Sequence, residues 1–540
     1  MTVEEHAYQR RWLILAVLCF SLLVIVLDNS ILNVAIPTIV KELGATNSQL
    51  QWIIDSYTLV FAGLLLTAGS LGDRYGRRGA LQLGFLIFGI GSLASALASS
   101  ADQLIATRAF MGIGGALIMP ATLSIITNVF PDEERGRAIG VWAGVAGLGG
   151  ALGPLTGGFL VEHFYWGSVF LVNIPIVIVG IVAGFVLIPT SKDPTAPKLD
   201  PLGAVLSITG LVALLYGLIE APGEGWTSPT ILTAFGIGIV LLAAFGAWEL
   251  HTDHPMLDLR FFKNPRFSAA SGSITLVFFA MFGSMFLLTQ YLQFVLAYTP
   301  LETGVRMLPF AATMMVAAPM SAKITEKTGT KLIVAGGLGL VTLGLLSMTG
   351  LQVDTSYGGV VIRLMLIALG MAFVMAPATE SVMGSLPLAK AGVGSAVNDT
   401  TRQVGGALGV AVIGSVLSST YGTKVAEFFA GTPAPAQAVD AAKGSLGGAI
   451  GVAENLRSLG QGPLADKLLA VANQSFVDAL HTGALVAAVA TFAGVLVALA
   501  FLPARAQARD RALQHDEYAV EHQGDLGIPD TELAPAPIVD

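Results

Sequence analysis

A single aspartate interrupts the first long apolar run of this chain. In the stretch VIVLDNSILNVAIP, Asp28 is the only charged residue between Trp12 and Val40. A charge near the centre of a bilayer costs about 2.5–3.5 kcal/mol on insertion scales, so such residues usually have a functional role. The chemistry of a carboxylate at this depth allows two interpretations: it exchanges a proton during transport, or it forms a structural hydrogen bond to a neighbouring helix.

Two further charged residues lie at similar depths in neighbouring apolar runs. At a rise of 1.5 Å per residue, Asp28 lies about 12 Å from the outer end of its run, and Asp55 and Arg108 lie about 8 Å from theirs. An arginine close to two carboxylates keeps one of them ionised and leaves the other able to exchange its proton. The sequence therefore predicts a proton-coupling site shared by these three residues, in which either carboxylate carries the exchanging proton.

A second polar group is predicted in the inner half of the bilayer. Glu380 lies next to a predicted kink at Pro377, and it is a further candidate for proton coupling or for binding a cationic substrate. Asp399 and Arg402 are three residues apart on one helix, where they either pair with each other or line the transport cavity. Six polar residues are predicted to line that cavity: Asn29, Asn33, Gln51, Glu380, Asp399 and Arg402.

The composition of the chain indicates which elements position these residues. Of its 540 residues, 54% are hydrophobic and 12% are charged, whereas soluble domains contain about 25% charged residues. Apolar runs of about 20 residues are long enough to cross a bilayer as helices. The first run is too long for the core of a cleavable signal sequence and is interpreted as a retained span. The sequence therefore predicts an all-α membrane protein.

Fourteen apolar runs meet this length criterion, and Lys and Arg are concentrated in alternate connections between them. Because basic residues accumulate on the cytoplasmic side, both termini are predicted to be cytoplasmic in a multi-pass protein of the plasma membrane. The predicted spans are near residues 12–36, 50–71, 79–98, 103–127, 138–160, 166–188, 202–220, 230–250, 268–293, 303–322, 331–350, 358–384, 394–418 and 479–503.

Two pairs of similar segments indicate an internal repeat. RAFMGIGGALIMPAT begins at Arg108 and RLMLIALGMAFVMAPAT at Arg363, while GGALGP begins at Gly149 and GGALGV at Gly405. The offsets are 255 and 256 residues, as expected for a transporter built from repeated halves; chance similarity among Gly- and Ala-rich helices is the alternative.

The repeat predicts two six-helix halves separated by two inserted helices, because the offset exceeds the length of one half. The predicted division is a cytoplasmic N-terminus (1–11), an N-terminal half (12–188), an inserted segment (189–267), a C-terminal half (268–503) with an extracellular loop (419–478), and an acidic, disordered cytoplasmic tail (504–540).

The short connection between the second and third spans, GSLGDRYGRR, contains one acidic and three basic residues. Asp73 is predicted to accept hydrogen bonds from the N-terminus of a neighbouring helix and so hold two helix ends together. The alternative is that these charges only set the topology. The predicted gating loop comprises Gly69, Gly72, Asp73, Arg74, Gly76, Arg77 and Arg78.

The fifth span is unusually rich in glycine and contains one proline. Glycines four residues apart give a helix a flat side for close packing, and a proline removes a backbone donor and favours a kink. Besides close packing, this composition suits a helix that bends or slides. The residues concerned are Gly149, Gly153, Pro154, Gly157 and Gly158.

Several of these motifs together resemble one known family. GSLGDRYGRR resembles the signature loop of the major facilitator superfamily, and GGALGPLTGG resembles its antiporter motif. LDNSILNVAIP, WIIDSYTL and NDTTRQVGGALGVAV, together with fourteen spans, resemble the fourteen-helix drug:proton antiporter branch. The resemblance implies the major facilitator fold and export of amphipathic small molecules (drugs, dyes or cations) by alternating access, driven by protons.

Other function classes are less consistent with the sequence. It contains no GxxxxGK[ST] phosphate-binding loop, so a proton gradient rather than ATP is the predicted energy source, with no cofactor and no metal. Neither HExxH nor GxSxG occurs, so an enzyme is not predicted. We expect a monomer with a small-molecule substrate and no nucleic-acid partner. An exporter of an endogenous lipid or metabolite remains open, and a nutrient importer of the same fold is a further alternative.

Overall fold

In a computed structural model, the described residues are 8–43, 47–192, 200–253, 255–430 and 434–503. Throughout these ranges the chain is helical and contains no strand. The α-helices are α1 (Arg11–Leu43), α2 (Asn47–Tyr75), α3 (Arg77–Ala96), α4 (Ala101–Val129), α5 (Asp132–His163), α6 (Ser168–Leu171), α7 (Asn173–Leu187), α8 (Pro201–Glu224), α9 (Pro229–His251), α10 (Pro265–Gln290), α11 (Pro300–Thr328), α12 (Thr330–Met348), α13 (Tyr357–Met383), α14 (Ala391–Phe429), α15 (Ala436–Gly444), α16 (Leu446–Ser458) and α17 (Gly462–Phe501).

Fourteen segments of the described residues are helical, long and apolar enough to cross a membrane. This confirms the predicted number of spans and the all-α membrane fold. The short helix α6 and the longer α7 together form one span over Ser168–Leu187. The predicted tail at 504–540 and most of the N-terminal segment at 1–11 lie outside the described residues. The division of the chain into domains stays a prediction.

The segment predicted as an extracellular loop, 419–478, is largely helical. Helix α14 has 39 residues and α17 has 40, so each is about 60 Å long, twice the thickness of a bilayer core. Their outer parts are joined by α15 and α16. The last part of the predicted loop, from Gly462, is the beginning of α17, which continues without a break to Phe501.

Helices of the predicted N-terminal half pack in pairs against helices of the predicted C-terminal half. Helix α5 of the first half lies against α11 of the second, and a Cβ on Gly140 would lie 2.9 Å from the carbonyl oxygen of Ala318. Helix α2 lies against α14, and a Cβ on Gly69 would lie 2.5 Å from the carbonyl oxygen of Gly392. Glycine at these positions allows backbone-to-backbone contact.

The inserted helices α8 and α9 pack on each other and on both halves. A Cβ on Gly238 of α9 would lie 2.9 Å from the backbone nitrogen of Leu214 in α8. Leu215 of α8 belongs to an apolar cluster with Leu59 of α2, and Val404 of α14 packs against that cluster. The inserted pair therefore contacts the two halves at the α2–α14 interface.

Candidate functional site

A buried ion pair joins the first and fourth spans. Asp28 in α1 and Arg108 in α4 are both 0% exposed. One carboxylate oxygen, Oδ2, accepts a hydrogen bond from Nη1 of Arg108. The other oxygen, Oδ1, accepts a hydrogen bond of 2.8 Å from the side-chain amide of Asn173, the first residue of α7. The carboxylate therefore connects three helices.

The guanidinium of Arg108 is fixed by α2 as well. Its Nε donates to the backbone carbonyl of Ile53 at 3.3 Å, and its Cζ lies 4.4 Å from the ring centroid of Tyr57. Helices α2 and α4 approach closely here because a Cβ on Gly112 would lie 2.8 Å from the carbonyl oxygen of Tyr57. The aromatic ring of Tyr57 and the carboxylate of Asp28 therefore stabilise the positive charge of the guanidinium in the absence of water.

Asn173 was not among the residues selected from the sequence. Its amide donates to Asp28 and also to the hydroxyl of Ser92 in α3, at 3.1 Å. The hydroxyl of Ser92 in turn donates to the carbonyl of Phe170 at 2.8 Å. The available signal was a lone amide in the apolar stretch LVNIPIVIV, which has the same significance as a lone carboxylate in such a run.

Asp55 lies on a different side of α2 from the groups that contact Arg108. Residues that are two positions apart on a helix are separated by about 200° around its axis. The side chain of Asp55 therefore leaves α2 on the side opposite to the side chains of Ile53 and Tyr57. It shares a face with Trp52 and Leu59, which pack towards α8 and α14. The predicted proximity is confirmed for Asp28 and Arg108, and the sharing of this site by Asp55 stays a prediction.

The predicted cavity residues of the first two spans are only partly described. Asn29 is exposed, and its amide donates to the carbonyl of Ile25 at 3.0 Å. The side chains of Asn33 and Gln51 lie outside the described part of the structure. Their role in substrate binding stays a prediction.

The loop between α2 and α3 makes the contact predicted for Asp73. Its Oδ1 accepts a hydrogen bond from the backbone N–H of Gly392 at 2.9 Å, and Oδ2 accepts one from Val393 at 3.1 Å. Both donors lie in the first turn of α14, where N–H groups have no partner within the helix. The predicted link between two helix ends is therefore confirmed, and the gating role of the loop stays a prediction.

The arginines of this loop bind neighbouring carbonyl groups. Arg77 forms an ion pair of 2.7 Å with Asp73 and donates to the carbonyls of Leu388 and Ala389, at 2.8 and 3.1 Å. Arg78 donates to the carbonyl of Ile188 at 3.2 Å. The turn itself is formed around Gly76, which has a φ of 113°. Its N–H donates a hydrogen bond of 3.0 Å to the carbonyl of Gly72. The Cζ of Arg74 lies 5.4 Å from the ring centroid of Tyr75.

The three charged residues predicted for the inner half of the bilayer lie at two separate positions in the structure. Glu380 of α13 lies beside the start of α5, where its Oε2 would be 3.5 Å from a Cβ on Gly136. Asp399 and Arg402 are buried in α14, with Asp399 Oδ1 3.9 Å from Arg402 Nη1. The predicted local pair is therefore present, and lining of a cavity by these residues stays a prediction.

The glycine-rich side of α5 packs on α1. A Cβ on Gly149 would lie 3.1 Å from Val26, and one on Gly153 would lie 1.9 Å from the hydroxyl oxygen of Ser30. Gly157 is buried and Gly158 faces Leu301 of α11 at 3.5 Å. The helix continues through Pro154 to His163. The close packing predicted for this side is confirmed, and a bending or sliding role stays a prediction.

Within the described ranges, no three His, Cys, Asp or Glu side chains come close enough to hold a metal ion. The structure instead brings together three buried carboxylate–arginine pairs among the described residues, Asp28–Arg108, Asp73–Arg77 and Asp399–Arg402, and Asp73 also contacts the start of α14. This arrangement can bind and release protons and can change how helices are held together.

Comparison with known proteins gives consistent matches along the chain. Residues 18–410 match the family model described as Major Facilitator Superfamily. The multidrug efflux pump LfrA of Mycolicibacterium smegmatis is 35% identical over 489 residues, which cover 90% of this chain and 95% of LfrA. The methyl viologen resistance protein SmvA of Salmonella typhimurium is 36% identical over 459 residues, which cover 83% and 90% of the two chains.

Two solved structures share the fold. The human organic anion transporter MFSD10 superposes with a TM-score of 0.58 at 13% identity, over 92% of this chain and 100% of that one. A bacterial homologue of the human lysosomal transporter Spinster, in an inward-facing conformation, superposes with a TM-score of 0.54 at 19% identity, over 91% and 98%. Sequence and structure agree, and the chain belongs to the Major Facilitator Superfamily.

Proposed function

We propose that this chain exports amphipathic small molecules across the plasma membrane in exchange for protons. The observation that carries the proposal is the buried Asp28–Arg108 pair. A buried ion pair between helices costs desolvation energy, and apolar side chains of similar size often hold such helices together at least as well. A carboxylate whose ionised form ties helices together is, by contrast, suited to couple proton binding to a rearrangement.

Protonation of Asp28 would weaken its attraction to Arg108, which would keep its bonds to Ile53 and Tyr57 of α2. Helix α1 would then be held less firmly to α4, while α4 stays attached to α2. A proton that binds the two arrangements with different affinity shifts the equilibrium between them. This is the free-energy link that a proton-driven transporter requires.

The contact between Asp73 and the start of α14 gives the second part of the cycle. It joins α2 to α14 at the end of the molecule where basic residues are concentrated, and the proposal assigns this end to the cytoplasm. Substrate would enter from the cytoplasm when this contact opens and leave on the other side when it closes, by rocking of the two halves. In this proposal both termini are cytoplasmic, the monomer is the working unit, and the proton gradient replaces any cofactor.

The class of substrate is inferred from relatives. LfrA is described as a multidrug efflux pump and SmvA as a methyl viologen resistance protein, and a tetracenomycin C resistance and export protein of Streptomyces glaucescens is 34% identical over 414 residues, 76% of this chain and 77% of that one. These names support a transporter of amphipathic compounds rather than an enzyme. Buried carboxylates in each half favour organic cations among them.

The test is transport of ethidium, an amphipathic cation, into everted membrane vesicles with an acidic interior. Vesicles with the wild-type protein should accumulate the dye until a protonophore collapses the gradient. Asp28→Asn should remain in the membrane and lose this accumulation. Asp466→Asn is the matched control, because it removes the same charge from an exposed pair with Arg457.

Accumulation at the wild-type rate in Asp28→Asn vesicles would contradict the proposal. Vesicles that move a labelled phospholipid but no ethidium, methyl viologen or similar dye would instead indicate an exporter of endogenous lipid.

A further inference from the structure

A second buried carboxylate–arginine pair lies in the C-terminal half, and its geometry differs from that of the first. Asp399 and Arg402 of α14 are 1% and 6% exposed. Their closest charged atoms are 3.9 Å apart, which is beyond hydrogen-bond distance. Asp28, by contrast, is in direct contact with Arg108 and Asn173. The negative charge of Asp399 is therefore the less well compensated of the two.

Several polar atoms around this pair are buried without a hydrogen-bond partner among the described residues: Asp399 Oδ2, Arg402 Nε and Trp142 Nε1. The other oxygen of Asp399 accepts one long hydrogen bond, 3.3 Å, from the amide of Asn398. Buried polar atoms are almost always satisfied by protein or by ordered water. A carboxylate in this state is best satisfied by a bound proton or by water that can deliver one.

Arg402 is stabilised as a cation by groups other than Asp399. Its Cζ lies 4.9 Å from the ring of Trp142 and 5.3 Å from the ring of Phe278, and its Nη2 donates to the hydroxyl of Thr379 at 3.0 Å. Aromatic faces stabilise a guanidinium when water is excluded. These contacts of Arg402 do not depend on the charge of Asp399 and remain when Asp399 gains a proton.

The surroundings of Asp399 come from both halves of the molecule. Trp142 lies on α5 of the first half, whereas Phe278 and Thr379 lie on α10 and α13 of the second. Among the described residues, Arg402 is the charged side chain that forms an ion pair with Asp399. Rocking of the halves would move Trp142 relative to α14, and so would change the compensation of Arg402 and the access of water to Asp399.

We propose that Asp399 is a second proton-exchanging residue, so that two protons enter for each molecule exported. This proposal rests on the proton-driven export proposed above, in which Asp28 carries the other proton. The consequence can be measured electrically. Exchange of two protons for one monovalent cation moves a net charge and responds to membrane potential, whereas exchange of one proton for one cation does not.

The experiment uses the full-length protein in proteoliposomes with ethidium, a monovalent cation. A potassium diffusion potential is imposed with no pH gradient, and a pH gradient is imposed separately with no potential. The wild type should respond to both. Asp399→Asn should still follow the pH gradient and lose the response to potential, and its measured stoichiometry should fall from two protons per ethidium to one. Asp399→Glu should retain two, and Asp466→Asn is the control.

The possible outcomes separate the two proposals. A wild-type protein that follows the pH gradient but ignores the potential overturns the second proton and leaves proton-driven export standing. A potential response that persists in Asp399→Asn also overturns it. If Asp399→Asn fails to reach the membrane, the same measurements are made on the double variant Asp399→Asn with Arg402→Gln, which leaves no unpaired charge. Persistence of its response to membrane potential overturns the second proton, and loss of that response supports it. Absence of any gradient-driven transport by the wild type contradicts export itself.

Discussion

Replacing Gly69 with alanine should separate the end of α2 from the start of α14. The new Cβ would lie 2.5 Å from the carbonyl oxygen of Gly392 and 2.8 Å from the Cβ of Ala396. The first of these contacts is to backbone, which cannot rotate away, so the helices would have to move apart by roughly 1 Å to relieve it.

The size of the effect follows from the cost of overpacking, about 1–3 kcal/mol. This cost applies only to the conformation in which the two helices touch, because the methyl group meets nothing once they separate. The equilibrium should therefore shift by about 5- to 150-fold towards the conformation in which these helix ends are apart, which is the cytoplasm-open conformation in the proposed orientation. The intrinsic preference of alanine for helix acts equally on both conformations and cancels.

Alkylation of a cysteine in this contact measures the shift. Ser395 is 0% exposed and precedes Ala396 in α14, so Ser395→Cys should react slowly with a membrane-impermeant maleimide while the contact is closed. The assay uses everted vesicles and a Cys19→Ala background, because Cys19 is the single native cysteine. Addition of Gly69→Ala should raise the labelling rate within the range given above.

Gly79→Ala is the matched control for this prediction. A Cβ on Gly79, in the first turn of α3, would meet no atom within 4 Å, so the labelling rate should stay at the background value. Equal labelling rates in the Gly69→Ala and Gly79→Ala proteins would refute the reasoning, because the contact would then not hold the cytoplasmic side closed.

Three further predictions concern other close contacts. Asp73→Asn should increase the same labelling rate, since it removes a charge that accepts two backbone hydrogen bonds; an unchanged rate would show that the glycine contact alone suffices. Asn173→Ala should slow gradient-driven ethidium export by about 5- to 150-fold, because loss of one hydrogen-bond donor to a buried carboxylate costs about 1–3 kcal/mol. The transport rate is measured in vesicles that contain equal amounts of the wild-type and variant proteins. Gly153→Ala should lower the unfolding temperature in detergent, because its Cβ would lie 1.9 Å from the hydroxyl oxygen of Ser30. Ser30→Gly should restore that temperature, and Gly150→Ala, which meets open space, should leave it unchanged.

The number of spans could be predicted from the sequence because the bilayer imposes it. A helix in lipid must satisfy its own backbone and needs about 20 apolar residues to cross the core, and both conditions are visible in a single sequence. The ends of the last two spans were predicted less well. Helices α14 and α17 have 39 and 40 residues, about twice the length needed to cross a bilayer core, and hydropathy does not mark the limits of a helix outside that core.

The sequence predicted that Asp73 binds the N-terminus of a helix, but it did not predict which helix. A carboxylate in a tight cytoplasmic turn is suited to bind helix N–H groups, and the sequence shows as much. That these groups belong to Gly392 and Val393, more than 300 positions later in the chain, follows only from how the two halves pack.

The proton-coupling site shows the same division. Depth along a helix follows from counting residues, so the sequence by itself determined that Asp28 and Arg108 lie at similar levels of the membrane. Rotation about the helix axis is set by packing of all neighbouring helices, so only the tertiary structure decided that Arg108 and Asn173 both reach the carboxylate of Asp28. Periodicity within one helix carries no information about which face meets which neighbour, and that choice is made by the fit of whole helix surfaces to one another.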